Sequence, residues 1–426
     1  MSVADLALQR NKYKHLTDDE WRWFLQQVEG RERTADKLPT FASIPDWWYP
    51  VRLSCEQCSS ELAARYKASL VNGETMVDLT GGYGVDTFFF SDSFSSIDYV
   101  EQNEELCRIA EHNFSLPTPA LPKGKEIRVH CCSAEEFLSS LSGVKSSARL
   151  DCRWPSVELR GRGYDLIFLD PARRDSHGGK VFRLKDCTPN VVELLPALLA
   201  HGKRLMIKLS PMLDLTQAIK ELSVSSLQWS VYVVATKNEV KELLLLSQEP
   251  SAKGQEPTIT AIDLAQPGQA FVFTREEESN SEAVQQCNGL TSNSASGLFL
   301  YEPNAAILKA GAYKLVAERF GLTKLDVNTH LYASDDLVEN FPGRVWKIKP
   351  TPALPKGKES SQANVLTRNY PLSPEALKKK LHLRDGGTDF VIGCRVAGKP
   401  TVFFAERVNN KTITGSSPDN TPTISQ

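Results

Sequence analysis

The feature that most constrains the fold is the alternation of short apolar runs with helical segments between Met76 and about Thr236. Strands covered on both faces read as nearly continuous aliphatic runs. Helices between them return the chain to the same sheet edge, so the pattern calls for an α/β unit with a parallel sheet. The predicted strands are Met76–Thr80, Ile97–Glu101, Ile127–Cys131, Tyr164–Leu169, Arg204–Leu209 and Trp229–Thr236. Helices are predicted between them, among them Asn103–Asn113 and Asn190–Ala200, the latter with Thr188 as cap and Pro189 in the first turn. After Glu239 come strand-like pieces, Leu243–Ser247, Thr258–Leu264 and Ala270–Thr274, without long helices between them. Antiparallel additions to the sheet edge fit that change of pattern.

The flanks have their own character. Residues 1–72 read as a helical region: Thr17-Asp18-Asp19-Glu20 has the capping-box form, and a second helix is predicted over Glu61–Leu70. The loop Ile44–Pro50 holds Trp47 and Trp48, which are expected to pack on the adjoining domain rather than stack on a base. The sheet-forming part is placed at 73–275, and the polar stretch 276–297 is expected to be a linker. A new unit begins at Leu298 with one predicted helix, Ala305–Phe320, stopped by Gly321. Its two parts are placed at 298–349 and 360–407, with a polar tail over 408–426. Ten residues, Pro117–Glu126, recur unchanged at Pro350–Glu359. Their three prolines exclude a helical repeat, so they are expected to be loop insertions of low cost.

Composition bounds the rest. The 426 residues carry 50 Lys plus Arg against 52 Asp plus Glu, a globular balance. The start lacks the form of a signal peptide and no apolar run reaches 18 residues, so a cytoplasmic protein with no membrane contact is expected. Nine cysteines without regular spacing fit reduced thiols, and Cys55-Glu56-Gln57-Cys58 has no second ligand pair, so no metal is expected.

Chemistry concentrates at the strand ends. Val77-Asp78-Leu79-Thr80-Gly81-Gly82-Tyr83-Gly84-Val85-Asp86 runs from strand through glycine-rich turn to helix. Glycines let the backbone approach a ligand, and the helix start offers free N–H groups. Counting from Gly82, the third glycine of a dinucleotide fingerprint is missing at Thr87, which weakens a nicotinamide dehydrogenase reading. About twenty residues on, Glu101 closes the second strand, where a carboxylate accepts ribose hydroxyls. The fourth strand delivers Asp170-Pro171-Ala172-Arg173-Arg174 at its C-terminal end. Arg173 and Arg174 suit either a substrate phosphate or a neighbouring carboxylate. Lys208 and Ser210 end the fifth strand and Lys237 the sixth. No cysteine follows a proline at the fourth or sixth strand, which argues against covalent catalysis.

Asp78 to Gly84 resembles motif I of the class I S-adenosylmethionine (SAM) methyltransferases, with Thr80 in place of the first glycine. Asp170-Pro171-Ala172 resembles the Asp-Pro-Pro motif of methyltransferases acting on amino nitrogens or base carbons, with alanine for the second proline and Arg173 where an aromatic residue is usual. The resemblance implies a Rossmann-like class I sheet that binds SAM through Asp78, Thr80, Gly81, Gly82, Gly84, Asp86, Glu101 and Gln102, with Ser133, Ala134 and Glu135 at the adenine. It implies catalytic roles for Asp170, Pro171 and Arg173, and substrate contacts for Arg174 and Lys208.

Charge is uneven along the chain. Phe341–Arg407 holds 13 Lys plus Arg against 5 Asp plus Glu, or +8, leaving −10 for the remainder of a chain whose total is −2. A basic module on an acidic body is the footprint of a polyanion partner. Val365–Pro371, the helix near Pro374–Leu381 and Leu383–Gly387 resemble the THUMP-like domain of a bacterial class I methyltransferase family, and Leu300–Gly311 resembles the ferredoxin-like segment before it. The C-terminal part is thus expected to be an α+β module. By that resemblance the substrate is structured RNA, tRNA or rRNA, with Arg368, Lys379 and Arg384 at the backbone. The alternatives are a SAM-dependent methyltransferase of a small molecule or protein, and a non-catalytic RNA-binding protein that keeps the fold.

Overall fold

The computed structural model describes residues 3–118, 124–142, 163–173, 183–222, 228–248, 256–266, 268–281, 295–351 and 362–408. The chain forms two compact units, Met1–Val234 with Lys241–Pro257, and Ala235–Val240 with Thr258–Gln426.

The first unit is built on a sheet whose strands are β1 (Thr75–Asp78), β2 (Ser96–Glu101), β3 (Glu126–Cys131), β4 (Leu166–Leu169), β5 (Leu205–Leu209), β6 (Gln228–Thr236) and β7 (Glu239–Gln248). Their spatial order is β3-β2-β1-β4-β5-β7-β6. Pairs β1–β2, β2–β3, β1–β4 and β4–β5 are parallel, and β7 is antiparallel to β5. The strand order reverses between β1 and β4, which opens a crevice beyond their C-terminal ends. Met76, Val77, Leu166, Ile167, Leu205 and Met206 are fully buried, which explains the uninterrupted apolar runs. All six predicted strands are present within two residues of the expected bounds.

Lys237 and Asn238 both have positive φ (53° and 63°) and form the two-residue turn between β6 and β7. Their N–H groups donate to Asp263 at 3.0 and 2.6 Å, so this strand end is a hairpin turn held by a carboxylate.

In the N-terminal region the capping box at Thr17 starts the helix Asp18–Thr34, and Ser60 caps Glu61–Ser69. Trp47 is buried with its Nε1 donating to Tyr83 Oη at 2.9 Å, and Trp48 stacks on His112 at 3.7 Å. These indoles are packing residues, as expected. Cys55 is buried in the helix Arg52–Gln57, and burial pushes its thiol up to about 12, so it is inert at neutral pH. The helix Val191–His201 is capped by Asn190, whose side chain accepts from Val192 and Glu193, and not by Thr188. An amide oxygen two residues nearer the helix does the capping.

The second unit holds an antiparallel pair, β8 (Thr258–Asp263) and β9 (Phe271–Thr274). The helix Arg275–Asn280 follows, closed by a capping box between Thr274 and Glu277. This replaces the start of the expected linker. Glu278 accepts the N–H groups of Tyr313, Lys314 and Leu315 at 2.9–3.0 Å, which fixes an acidic segment on a helix start. Residues 282–294 of the expected linker and 409–426 of the expected tail lie outside the described residues.

A further sheet contains β10 (Phe299–Pro303), β11 (Thr323–Asp326), β12 (Thr329–Ser334), β13 (Gly343–Lys349), β14 (Asn364–Arg368), β15 (Asp389–Val396) and β16 (Lys399–Val408), in the order β11-β12-β10-β13-β16-β15-β14. It curls until its ends meet: Ala397 donates to Leu325 O at 3.0 Å, Gly398 to Asp326 at 2.6 Å, and Asn369 to Thr329 at 3.3 Å. The expected helix Ala305–Phe320 is two helices, Ala305–Ala310 and Lys314–Phe320. Gly311 takes φ 81°, the left-handed stop conformation, and ends the first. Residues 119–123 of the first copy of the ten-residue repeat and 352–359 of the second lie outside the described residues.

Candidate active site

The glycine-rich turn runs from the end of β1 to the helix Val85–Phe90, at the topological switch point. A Cβ at Gly81 would lie 2.1 Å from the Tyr99 ring, and one at Gly84, where φ is 79°, would lie 2.7 Å from Phe114. Both positions exclude any side chain. Gly82 donates its N–H to Glu101 Oε2 at 2.9 Å, and Asn103 donates to Glu101 Oε1 at 2.8 Å. Glu101 thus stands at the end of β2 directly across from the turn.

Asp78 is buried under that turn. Its Oδ1 accepts the Thr80 N–H at 3.0 Å and its Oδ2 the Thr87 hydroxyl at 2.6 Å. Burial, with Asp86 and Asp170 nearby, outweighs those bonds and lifts its carboxyl to about 7. The Thr80 hydroxyl accepts the Asp170 N–H at 2.6 Å. The threonine in place of the first glycine therefore ties the turn to the end of β4.

Behind Asp170 lies a connected set of charges. Lys208, on β5, donates to Asp170 Oδ2 and, at 3.2 Å, to Ser59 Oγ, and stands 3.7 Å from Asp86 Oδ2. Ser59 donates to Asp86 at 2.8 Å. Lys67, with 0% of its side chain exposed, bonds both oxygens of Glu242 at 2.8 and 2.7 Å and pairs with Asp86 at 3.2 Å. Burial disfavours the charge on Lys208, but Asp170, Asp86 and Glu242 together hold its pKa above the ordinary lysine value. Burial likewise opposes the Asp86 charge, and Lys67 and Lys208 more than compensate, holding it below the usual carboxylate range.

Asp86, expected at the cofactor, and Lys208, expected at an RNA phosphate or base, both belong to this buried set: Asp86 pairs with Lys67 and Lys208, and Lys208 also donates to Asp170. Ser59, Lys67 and Glu242 were not anticipated. A weak signal existed: Lys67 falls on the buried stripe of Ala63, Ala64 and Ala68, and Glu242 begins the apolar stretch Leu243–Leu246.

The remaining candidates are more dispersed. Ser133 caps the helix Ala134–Leu141 with Glu136 as its reciprocal partner, leaving Ala134 buried and Glu135 exposed. Gln102 is exposed beside Glu101, and Pro171 is buried. Arg173 lies in a two-residue strand paired with Cys187, and Arg174 lies outside the described residues. In the second unit Arg368 and Arg344 flank the buried Glu302, while Lys379 and Arg384 are exposed. No group of three metal-ligating side chains occurs among the described residues.

The turn and its partners fit SAM. A backbone cradle closed to side chains at Gly81, a carboxylate facing it at Glu101 and a buried carboxylate at Asp78 suit a nucleoside joined to an amino acid.

Comparison with known proteins agrees. Residues 299–342 match the ferredoxin-like domain and 345–407 the THUMP domain-like family. A crystal structure of a protein from Porphyromonas gingivalis W83, provisionally described as a methyltransferase, is 31% identical, covers 92% of each chain and superposes with a TM-score of 0.75. Mycobacterium tuberculosis strains CDC 1551 / Oshkosh and ATCC 25618 / H37Rv each have an uncharacterized S-adenosylmethionine-dependent methyltransferase, 22% identical over 378 residues, spanning 86% of this chain and 90% of the relative. The strand order, the switch-point turn and this full-length likeness place the chain in one family with the P. gingivalis protein, that of SAM-dependent methyltransferases with C-terminal ferredoxin-like and THUMP-like domains.

Proposed function

We propose that this methyltransferase acts on RNA, tRNA or rRNA, by direct methyl transfer to a base. The observation that carries the reading is the THUMP-like match over 345–407 in the segment of charge +8, with Lys379, Lys380 and Arg384 exposed on it. Such side chains contact phosphates without regard to sequence, and the fold around them supplies the shape. On this reading residues 73–275 hold the catalytic sheet behind the helical region 1–72, and 298–349 and 360–407 dock the substrate.

Bound SAM supplies an activated methyl group on a sulfonium, so the protein has chiefly to align and to exclude. Glu101 accepts the ribose hydroxyls, Asp78 faces the amino-acid end, and Gly81, Gly82 and Gly84 let the backbone approach. Ser133, Ala134 and Glu135 stand at the adenine. Asp170 orients the acceptor, with Pro171 and Arg173 beside it, and Arg174 meets a phosphate. A target base within a helix must be extruded to reach Asp170.

The test is incubation with labelled SAM and total RNA from a deletion strain, followed by nucleoside mass spectrometry. A labelled nucleoside is expected, and it should be lost with Asp170→Ala. Label found only in protein or small molecules would replace the RNA reading, and no heat on titrating intact protein with SAM would remove the enzyme reading.

A further inference from the structure

Lys67, Lys208, Asp86, Glu242 and Asp170 come from five separate elements: the helix Glu61–Ser69, β5, the helix after the glycine turn, β7 and the end of β4. Two cations and three carboxylates sum to −1. Lys67 and Lys208 balance Asp86 and Glu242, so the surplus negative charge falls on Asp170, the member of the five whose side chain is 37% exposed. Buried ion pairs stabilise little compared with apolar residues of the same volume, so stability alone does not account for four charges behind one carboxylate. Their geometry does account for it. Lys208 spends its donors on Asp170 Oδ2 and Ser59 Oγ with Asp86 as a further acceptor nearby, so its flexible stem has one arrangement.

We propose that Lys208 is a positioning residue for the transfer site: it pins Asp170 Oδ2 and leaves Oδ1 to the acceptor, while Lys67, Glu242 and Asp86 brace Lys208 from behind. The inference rests on the reading that Asp170 faces the substrate. It also links the two halves of the site, because Asp86 is the second residue of the helix that follows Gly84. Cofactor affinity should survive loss of Lys208, since Asp86 keeps Lys67 and Ser59 as partners.

The test compares Lys208→Met, Lys208→Arg and Asp170→Asn with wild type. Lys208→Met should bind SAM within about threefold of wild type by isothermal titration, keep its KM for SAM, and lose roughly tenfold or more in kcat on total RNA. Lys208→Arg, which can still donate to Asp170, should recover most of that loss. A readout that needs no substrate is acetic anhydride labelling of Lys208, followed by mass spectrometry. In Asp170→Asn the lysine loses a counter-charge and should label several-fold faster than in wild type. Unchanged kcat in a folded Lys208→Met, an arginine variant no better than methionine, or equal labelling in Asp170→Asn would each overturn the proposal. Should Lys208→Met not fold, the arginine variant and the labelling comparison still decide it. If wild type methylates no RNA, the RNA reading fails, and labelling alone judges the Lys208–Asp170 pairing.

Discussion

Single residues in this site have roles set by what crowds them. Asp78 accepts hydrogen bonds from Thr80 and Thr87 and is still pushed up to about 7, because burial costs its charged form more than those bonds return. The folded protein therefore binds this proton more tightly than the unfolded chain, whose aspartate titrates near 3.9. The contribution of Asp78 to stability is most favourable below about pH 4 and declines as pH rises to about 7, by at most about 1.4 kcal/mol per pH unit. Asp78→Asn should remove that decline, so its urea midpoint relative to wild type should rise between pH 4 and 7. A constant difference across that range would show that Asp78 is ionised throughout. The motif made Asp78, Gly82, Gly84 and Glu101 legible, since each stands at a fixed distance from a strand end. The reason for Gly81 was not legible. It depends on the Tyr99 ring, which approaches from the neighbouring strand.

At the scale of elements, the buried charges act as a pin through the first unit. Lys67, itself out of contact with solvent, joins the helix Glu61–Ser69 to β7 and to the helix of the glycine turn. Replacing it with methionine leaves Asp86 and Glu242 without their shared cation, a loss of about 3–5 kcal/mol. Pairing Lys67→Met with Glu242→Gln should cost less than Lys67→Met alone, read as denaturant midpoints of the two variants. A double variant no more stable than the single one would mean that Glu242 has another counter-charge. Element boundaries were legible where capping chemistry marks them, as at Thr17 and Ser60. They were misplaced where one glycine decides between a helix and two. Gly311 sits within an apolar periodic stretch, and its left-handed φ of 81° separates Ala305–Ala310 from Lys314–Phe320.

For the whole molecule, the two C-terminal family matches share one sheet. β10 lies in the ferredoxin-like match, and all but the first two residues of β13 and the last of β16 lie in the THUMP-like one, yet β10 pairs with β13 from Phe299↔Lys347 to Pro303↔Gly343. Residues 299–342 expressed alone would leave that edge of β10 open and should give the narrow amide dispersion of an unfolded chain. Well-dispersed amide signals from the fragment would show that it folds independently. The basic surface yields a second expectation. Lys379→Ala with Arg384→Ala should weaken RNA binding across sequences and lower the slope of log K against log salt by about 0.7–0.9 for each phosphate no longer neutralised. An unchanged slope would remove these side chains from the interface.

The sequence by itself determined the class of fold and the strand ends at which the candidate site gathers. Apolar runs at strand spacing demand a parallel sheet, and a glycine turn and an Asp-Pro at strand ends can meet only at its C-terminal edge. It also carried the charge separation, because the net charge of a segment does not depend on folding. What only tertiary structure decided is which charges face out and which are spent inside. Asp86 and Lys208 read as surface groups on a ligand edge until Lys67 and Glu242, 19 residues before Asp86 and 34 after Lys208, are brought beside them. Pairing between residues so far apart leaves little local trace: the alanine stripe around Lys67 and the leucines after Glu242 hint at burial but name no partner. The low-dielectric interior forces such groups together, and their partners are known only once the chain has closed around them.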